Sequence, residues 1–345
     1  MDQQLMVKLK EIAQYYQLEL HLAERYGKCF KLYTNKGNYA LKELPAERGV
    51  DFVHQIQHLF QSGYNRIVPV YPTSDGRYAV LYDSSLYYLM PWLLNDEKED
   101  YDGKHVKLFR EVARMHSITS KEIPIEQKAR QEHYDEISLR WEKETEFMEE
   151  FLSRCEEQDY MSPFEQLFCL YYHESSLAIR FAKEKLDQWL EQSKEREKVR
   201  TVFVHGKLST EHFLYDDRGT AYFSNFEKMK QAAPFHDLLP FLSRKLYTYP
   251  KDQEEVYNWL DLYFRHFSLR DEEMSLFLSY LSYPTGIIET TLKYQAAEKK
   301  KESSYVRRLQ RHYWSMKNTE YIVMKLDELE KQKEKAKQEA EGAAQ

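Results

Sequence analysis

A chain of 345 residues with 42% hydrophobic and 15% aromatic side chains can bury more than one small core, so two structural lobes are expected. Its 57 acidic and 50 basic side chains leave a formal net charge of −7, which excludes attraction of the whole chain to nucleic acid or to an anionic membrane surface. Three cysteines, Cys29, Cys155 and Cys169, show neither a CxxC pair nor histidine-rich spacing, which argues against a structural zinc site or disulfide framework and fits a reducing compartment.

Residues 1–16 read as a helix, because Leu5, Leu9, Ile12, Ala13 and Tyr16 recur at three- and four-residue spacing. The same segment lacks the compact apolar stretch and cleavage site of a signal peptide. The chain holds no run of about 18 apolar residues, so no membrane span is expected. The period then changes to two at Leu18 to Leu22, at Cys29 to Tyr33 and at Tyr39 to Lys42, which predicts three strands of an antiparallel meander. Glu24, Arg25 and Tyr26 fall in its first turn, spanning Ala23 to Lys28. A helix is expected from about Glu47 to Gly63, with Val50, Val53, Ile56, Leu59 and Phe60 on one face. Two more strands follow at Arg77 to Tyr82 and Ser85 to Met90.

Beyond Pro91-Trp92 the pattern is almost wholly helical. Lys104 to Ser117 carries Val106, Phe109, Val112, Ala113 and His116 on one stripe, with His116 read as a buried structural histidine. Charged helices are expected over roughly 132–157, 162–197, 253–267 and 271–282. One strand-rich segment, Thr201 to Asn225, interrupts them. Only 10 glycines and 10 prolines occur, consistent with a mostly helical chain and short turns. After about Lys317 the lysine- and glutamate-rich sequence reads as a solvated helix with a disordered end. The basic cluster of Lys299, Lys300, Lys301, Arg307, Arg308 and Arg311 reads as a solvated helix face, with a partner-binding patch as the alternative. The expected organisation is an N-lobe over 1–92, a helical C-lobe over 93–320 with a hairpin at 201–227, and a charged tail over 321–345, an α+β fold.

The interrupting segment carries the chemistry. An apolar strand, Val202 to Val204, leads into His205-Gly206-Lys207. A short loop, the pair Phe213-Leu214, a turn at Asp216 to Gly219 and a strand at Ala221 to Phe223 follow. Asn225-Phe226-Glu227 and a helix with Asp237-Leu238-Leu239 complete the pattern. This layout resembles the aminoglycoside phosphotransferase and choline kinase branch of the protein-kinase-like fold, whose pattern is H-G-D-x-x-x-x-N, a hairpin, I-D-[FW]-[DE] and an Asp-Leu helix. The resemblance implies a bilobal fold with a small antiparallel N-lobe sheet. In that family the first aspartate orients or deprotonates the acceptor hydroxyl, while the asparagine and the second aspartate hold Mg²⁺.

His205, Gly206 and Asp237 match that pattern as structural residues. Lys207 stands at the catalytic aspartate, His212 at the magnesium asparagine and Asn225 at the metal-binding aspartate. Glu227 matches an acidic position that assists metal binding in some members. The family's charges at the three altered positions sum to −2, against +1 here with the histidine neutral. A lysine with a pKa of about 10.4 cannot accept a hydroxyl proton at neutral pH. At ~4 Å from a divalent cation it opposes binding by several kcal/mol even at an effective dielectric of about 20. Asn225 keeps an oxygen but loses the charge that hard cations favour.

In the N-lobe, Lys42 stands where the family places the third-strand lysine that reaches nucleotide phosphates; the alternative is a lysine at a strand edge. Its acidic partner on the next helix is not evident, since Glu47 is early and Asp51 is the only carboxylate from Val50 to Gly63. Met90, in Leu89-Met90-Pro91-Trp92, stands in the connector where an adenine ring docks.

The Gly37 to Lys42 hairpin, the Ser84 to Trp92 run and the tyrosine content are similar to the kinase-like spore coat proteins of endospore-forming bacteria, of the CotS and YutH type. That resemblance implies a pseudokinase with a structural or scaffolding role, made in the cytoplasm and deposited in the spore coat, with other coat proteins as partners. Two alternatives remain: a small-molecule phosphotransferase using ATP and Mg²⁺ with non-standard metal ligands, and metal-free nucleotide or anion binding by Lys42 and Lys207.

Overall fold

A computed structural model of the chain describes residues 3–95, 101–297 and 301–343. The chain groups into two compact units, and the grouping differs from the lobes expected at 1–92 and 93–320. One unit is Met1–Ser120 with Val202–Asp237, and the other is Lys121–Thr201 with Leu238–Gln345.

The first unit begins with helix α1 (Gln3–Gln14), then β1 (Leu20–Tyr26), β2 (Cys29–Thr34) and β3 (Gly37–Pro45). A 3₁₀ turn at Ala46–Arg48 precedes helix α2 (Asp51–Gln61), so the expected single helix from Glu47 is two pieces. Strands β4 (Val80–Tyr82) and β5 (Ser85–Pro91) complete an antiparallel sheet in the order β1-β2-β3-β5-β4. Alternation places Phe30 and Leu32 inward with Leu41 and Leu89, and an irregularity in β1 between Leu20 and Leu22 lets Leu20 and Ala23 join them, where Leu9, Ile12 and Ala13 of α1 close over them. Tyr26 pairs with Cys29, so Glu24, Arg25 and Tyr26 are strand residues and not the expected turn, which is only Gly27-Lys28. Helix α3 (Tyr101–Thr119) buries Leu108, Phe109, Val112 and Ala113 completely.

The chain then enters the second unit through β6 (Lys121–Pro124), helices α4 (Gln127–Glu156) and α5 (Pro163–Ser193), and β7 (Lys198–Val204). Ser162 and Glu165 form a reciprocal capping box before Pro163, which fixes where α5 begins. The chain returns to the first unit for the hairpin of β8 (Phe213–Tyr215) and β9 (Ala221–Phe223), then β10 (Lys230–Ala232), which pairs with Val202 to Val204. The hairpin is tied into this unit by backbone bridges from Ile67 to Phe223 and from Leu94 to Tyr215.

Helix α6 (Phe235–Lys245) leads back to the second unit, which continues with α7 (Glu254–His266), α8 (Asp271–Ser282), α9 (Thr285–Ala296) and α10 (Glu302–Ala343). Four of the tyrosines stack inside it: Trp141 on Tyr283 at 4.1 Å between ring centroids, Phe164 on Tyr294 at 3.8 Å and Tyr171 on Tyr313 at 3.6 Å. The sequence after Lys317 is not a solvated tail throughout. Ile322, Val323 and Leu326 of α10 are buried, and Asp327 pairs with Lys185 at 2.6 Å, whereas residues 331–340 are exposed along their length.

Candidate functional site

The loop frame is held by one buried carboxylate. Asp237, in the first turn of α6, accepts the backbone N–H of His205 at 2.6 Å and of Gly206 at 2.8 Å. Its Oδ2 also lies 3.2 Å from Nε2 of His116, and both side chains are fully buried. Burial pushes the Asp237 carboxyl up, but the hydrogen bond and charge of His116 and the proximity of His205 outweigh it and hold the group below the usual carboxylate range. His205 donates Nε2–H to the Ser224 carbonyl at 2.8 Å and accepts the Lys207 N–H on Nδ1 at 3.2 Å, which defines one neutral tautomer. Burial pushes its pKa down, so the imidazole stays uncharged. At Gly206 the backbone is left-handed (φ 74°), and a Cβ there would sit 2.3 Å from the Lys228 carbonyl oxygen. The three residues read as structural therefore converge on one feature: they fix the turn between β7 and the following loop.

The altered positions form a second, connected chain. His212 donates Nδ1–H to the Lys207 carbonyl at 3.1 Å and accepts on Nε2 from the Asn225 amide at 2.8 Å. The Asn225 Oδ1 accepts from the Lys42 ammonium, which also forms an ion pair with Glu227. Tyr88 donates its hydroxyl to the same Glu227 carboxylate. The Lys42 and Glu227 side chains are only 16% and 5% exposed. Burial pushes Glu227 up, but the Lys42 charge, its hydrogen bond and that of Tyr88 hold the carboxyl below its ordinary value. Burial, with neighbouring His205 and Lys207, drives His212 down to about 4, so it is neutral at pH 7. Asn225 adopts a left-handed backbone (φ 70°), a conformation that asparagine tolerates better than most residues. Lys207 itself is exposed.

Lys42 thus has an acidic partner, but it is Glu227 and not a residue of α2. Tyr88 went unremarked in the sequence. The signal that finds it is register: Lys42 of β3 lies directly opposite Tyr88 of β5. Met90 is buried two residues further along β5, opposite Ala40, on the same sheet face as Tyr88.

Mg²⁺ favours charged oxygen ligands in near-octahedral array. Around the altered positions Glu227 is the carboxylate in place, and its Oε1 carries Lys42 and Tyr88. The Asn225 oxygen is taken by Lys42, and the third position offers an imidazole already bonded at both nitrogens. Among the described residues no group of three or more His, Cys, Asp or Glu is placed to hold a metal ion. These residues do not fit the ion that the kinase-like fold implies, and none of them at the aspartate position can act as a general base.

No family model and no curated protein sequence matches the chain. Solved structures do. An aminoglycoside phosphotransferase from Alicyclobacillus acidocaldarius is similar over 92% of this chain and 95% of its own, at 15% identity and a TM-score of 0.68. A microcompartment-associated aminopropanol kinase matches over 93% and 98% at 13% identity and a TM-score of 0.53. A spectinomycin phosphotransferase in complex with ADP and spectinomycin matches over 92% and 98% at 13% identity and a TM-score of 0.52. Likeness at such low identity is likeness of fold: the chain has the protein-kinase-like bilobal α+β fold that these phosphotransferases share.

Proposed function

We propose that this chain is a pseudokinase, a kinase fold that does not transfer phosphate and serves as a structural or scaffolding protein. The observation that carries the reading is the closed chain Tyr88–Glu227–Lys42–Asn225–His212. It consumes the lysine that would reach phosphate and the carboxylate that would help hold a metal. Phosphoryl transfer is catalysed almost entirely by positioning and electrostatic stabilisation, and a site with Lys207 in place of the acid and with Lys42 and Tyr88 on Oε1 of Glu227 is deprived of much of both. The setting we propose is the bacterial spore coat, with other coat proteins as partners. It is supported by the resemblance of the Gly37 to Lys42 hairpin and the Ser84 to Trp92 run to kinase-like coat proteins.

A thermal-shift titration with ATP, in Mg²⁺ and in chelator, tests the catalytic half together with an assay of ADP release. The expected result is no Mg²⁺-dependent shift and no turnover. Mg²⁺-dependent stabilisation that disappears in Glu227→Ala would overturn the proposal in favour of a small-molecule phosphotransferase with unusual ligands. A shift that persists in chelator and vanishes in Lys207→Ala would mark metal-free nucleotide binding instead. Fractionation of spores with an antibody to the chain tests the location; recovery only in the soluble core fraction removes the coat role.

A further inference from the structure

Helix α10 treats its basic residues in two ways. Towards its C-terminal half all but Lys335 pair with a carboxylate: Lys317 with Glu174 and Glu320, Lys325 with Glu254, Lys331 with Asp327, Lys333 with Glu330 and Lys337 with Asp271. In its first turns Arg307, Arg308 and Arg311 form no ion pair among the described residues, although the chain has more acidic than basic side chains. Lys299 and Lys300 of the same sequence cluster lie outside the described residues, and Lys301 is exposed.

The helical period puts Ser304, Arg307, Arg308 and Arg311 within an arc of about 100°. All four, with Tyr247, line one open cavity of about 360 Å³. Uncompensated like charges at i, i+4 oppose helix formation, so this face is destabilised unless an anion occupies it. Among the described residues one of the five N–H donors of Arg307 is bound, to the Ser303 carbonyl at 3.2 Å. Beside the cavity, His312 packs its ring 5.1 Å from Tyr247, and burial followed by the Arg308 charge pushes its pKa down, so no further cation forms there at neutral pH. Glu289, which also acts on His312, is engaged by Lys293 at 2.7 Å.

We infer that Arg307, Arg308 and Arg311, with the hydroxyls of Ser304 and Tyr247, form a binding site for clustered phosphate groups. Planar guanidinium forks match phosphate oxygens bidentately, and three of them around one cavity suit two or three linked phosphates better than one. The site lies wholly within the second unit and does not depend on the Lys42 and Glu227 chain.

Calorimetric titration of the full chain with inorganic triphosphate, pyrophosphate and orthophosphate at matched ionic strength tests it. Triphosphate binds about tenfold more tightly than orthophosphate, and Arg308→Gln/Arg311→Gln loses about tenfold in affinity. Lys337→Gln, on the same helix, and Lys207→Ala, in the kinase-like loop, retain it. All four changes are at exposed side chains, so folding is preserved and is checked by the melting temperature. Vesicles carrying a bisphosphorylated inositol headgroup separate the two sources of such phosphate, and soluble triphosphate displaces the chain from them. Absence of triphosphate binding, equal affinity for orthophosphate, an unaffected double variant, or vesicle binding that survives excess triphosphate each overturns the assignment.

Discussion

At Lys42 the local sequence announces a strand lysine, and the physics of its surroundings decides what that lysine does. Its ammonium and the Glu227 carboxylate are both largely withdrawn from water, so neither charge is stable without the other. Lys42→Met leaves a nearly buried carboxylate with Tyr88 as its remaining partner and is expected to cost about 3–5 kcal/mol in urea unfolding. Glu227→Gln, which keeps an oxygen for Tyr88 and removes the charge, costs less. The double variant Lys42→Met/Glu227→Gln recovers part of the loss, with a coupling energy of at least about 1 kcal/mol. Strict additivity of the two single changes contradicts the argument, since it would make this an ordinary solvated pair. The lysine was legible because the Gly37 hairpin places it. Its partner was not, because Lys42 and Asn225 are 183 residues apart in sequence and Glu227 lies beyond. Likewise the family resemblance marked Lys207 and Asn225 as replacing two aspartates and His212 as replacing an asparagine, but their hydrogen bonds to one another depend on side-chain directions that a sequence pattern does not carry.

Among the elements, legibility followed length and periodicity. Strands β1, β2, β3 and β5 alternate over enough residues to declare themselves, and α3, α4, α5, α7 and α8 repeat an apolar stripe. Strands β6 and β10 have four and three residues and mostly exposed side chains, so no pattern marks them; they exist because β7 offers its two edges. The apolar residues Ile322, Val323 and Leu326 were outvoted by the lysines and glutamates around them, although their spacing is that of a buried helical face. The hairpin segment offers a test of how tightly an element is held. Gly206 and Gly219 share a left-handed backbone, φ 74° and 75°, but a Cβ at Gly219 meets nothing within 4 Å while one at Gly206 collides with the Lys228 backbone. Gly219→Ala is therefore expected to cost about 1 kcal/mol, the conformational penalty alone. Gly206→Ala costs more, about 3 kcal/mol or above, because the loop must move off β10's approach or break the bonds to Asp237. Denaturant midpoints of the two variants measure the difference, and equal losses contradict a role for Gly206 in fixing the loop.

The whole molecule is built so that its first unit is not contiguous in sequence. Met1–Ser120 supplies the sheet, α2 and α3, while Val202–Asp237 returns to supply the hairpin, the partners of Lys42 and the Asp237 carboxylate beneath His116. The returning segment buries Phe213, Phe223 and Phe226 almost completely, and its hairpin bridges Ile67 and Leu94. Burying three phenylalanines contributes roughly 5–9 kcal/mol, comparable to the net stability of a whole domain. A fragment of residues 1–120 loses that burial and leaves His116 without Asp237 and Lys42 without Glu227. It is therefore expected to unfold without a cooperative transition in urea, followed by the fluorescence of Trp92. Addition of a peptide spanning 202–237 should restore a sigmoidal transition whose midpoint rises with peptide concentration, because binding only the folded form stabilises it by mass action. A fragment that unfolds cooperatively by itself, with a midpoint unchanged by the peptide, would mean that the sheet and α3 hold together without the kinase-like loop. The loop's buried groups would then be held in place by the strands without supporting them in return.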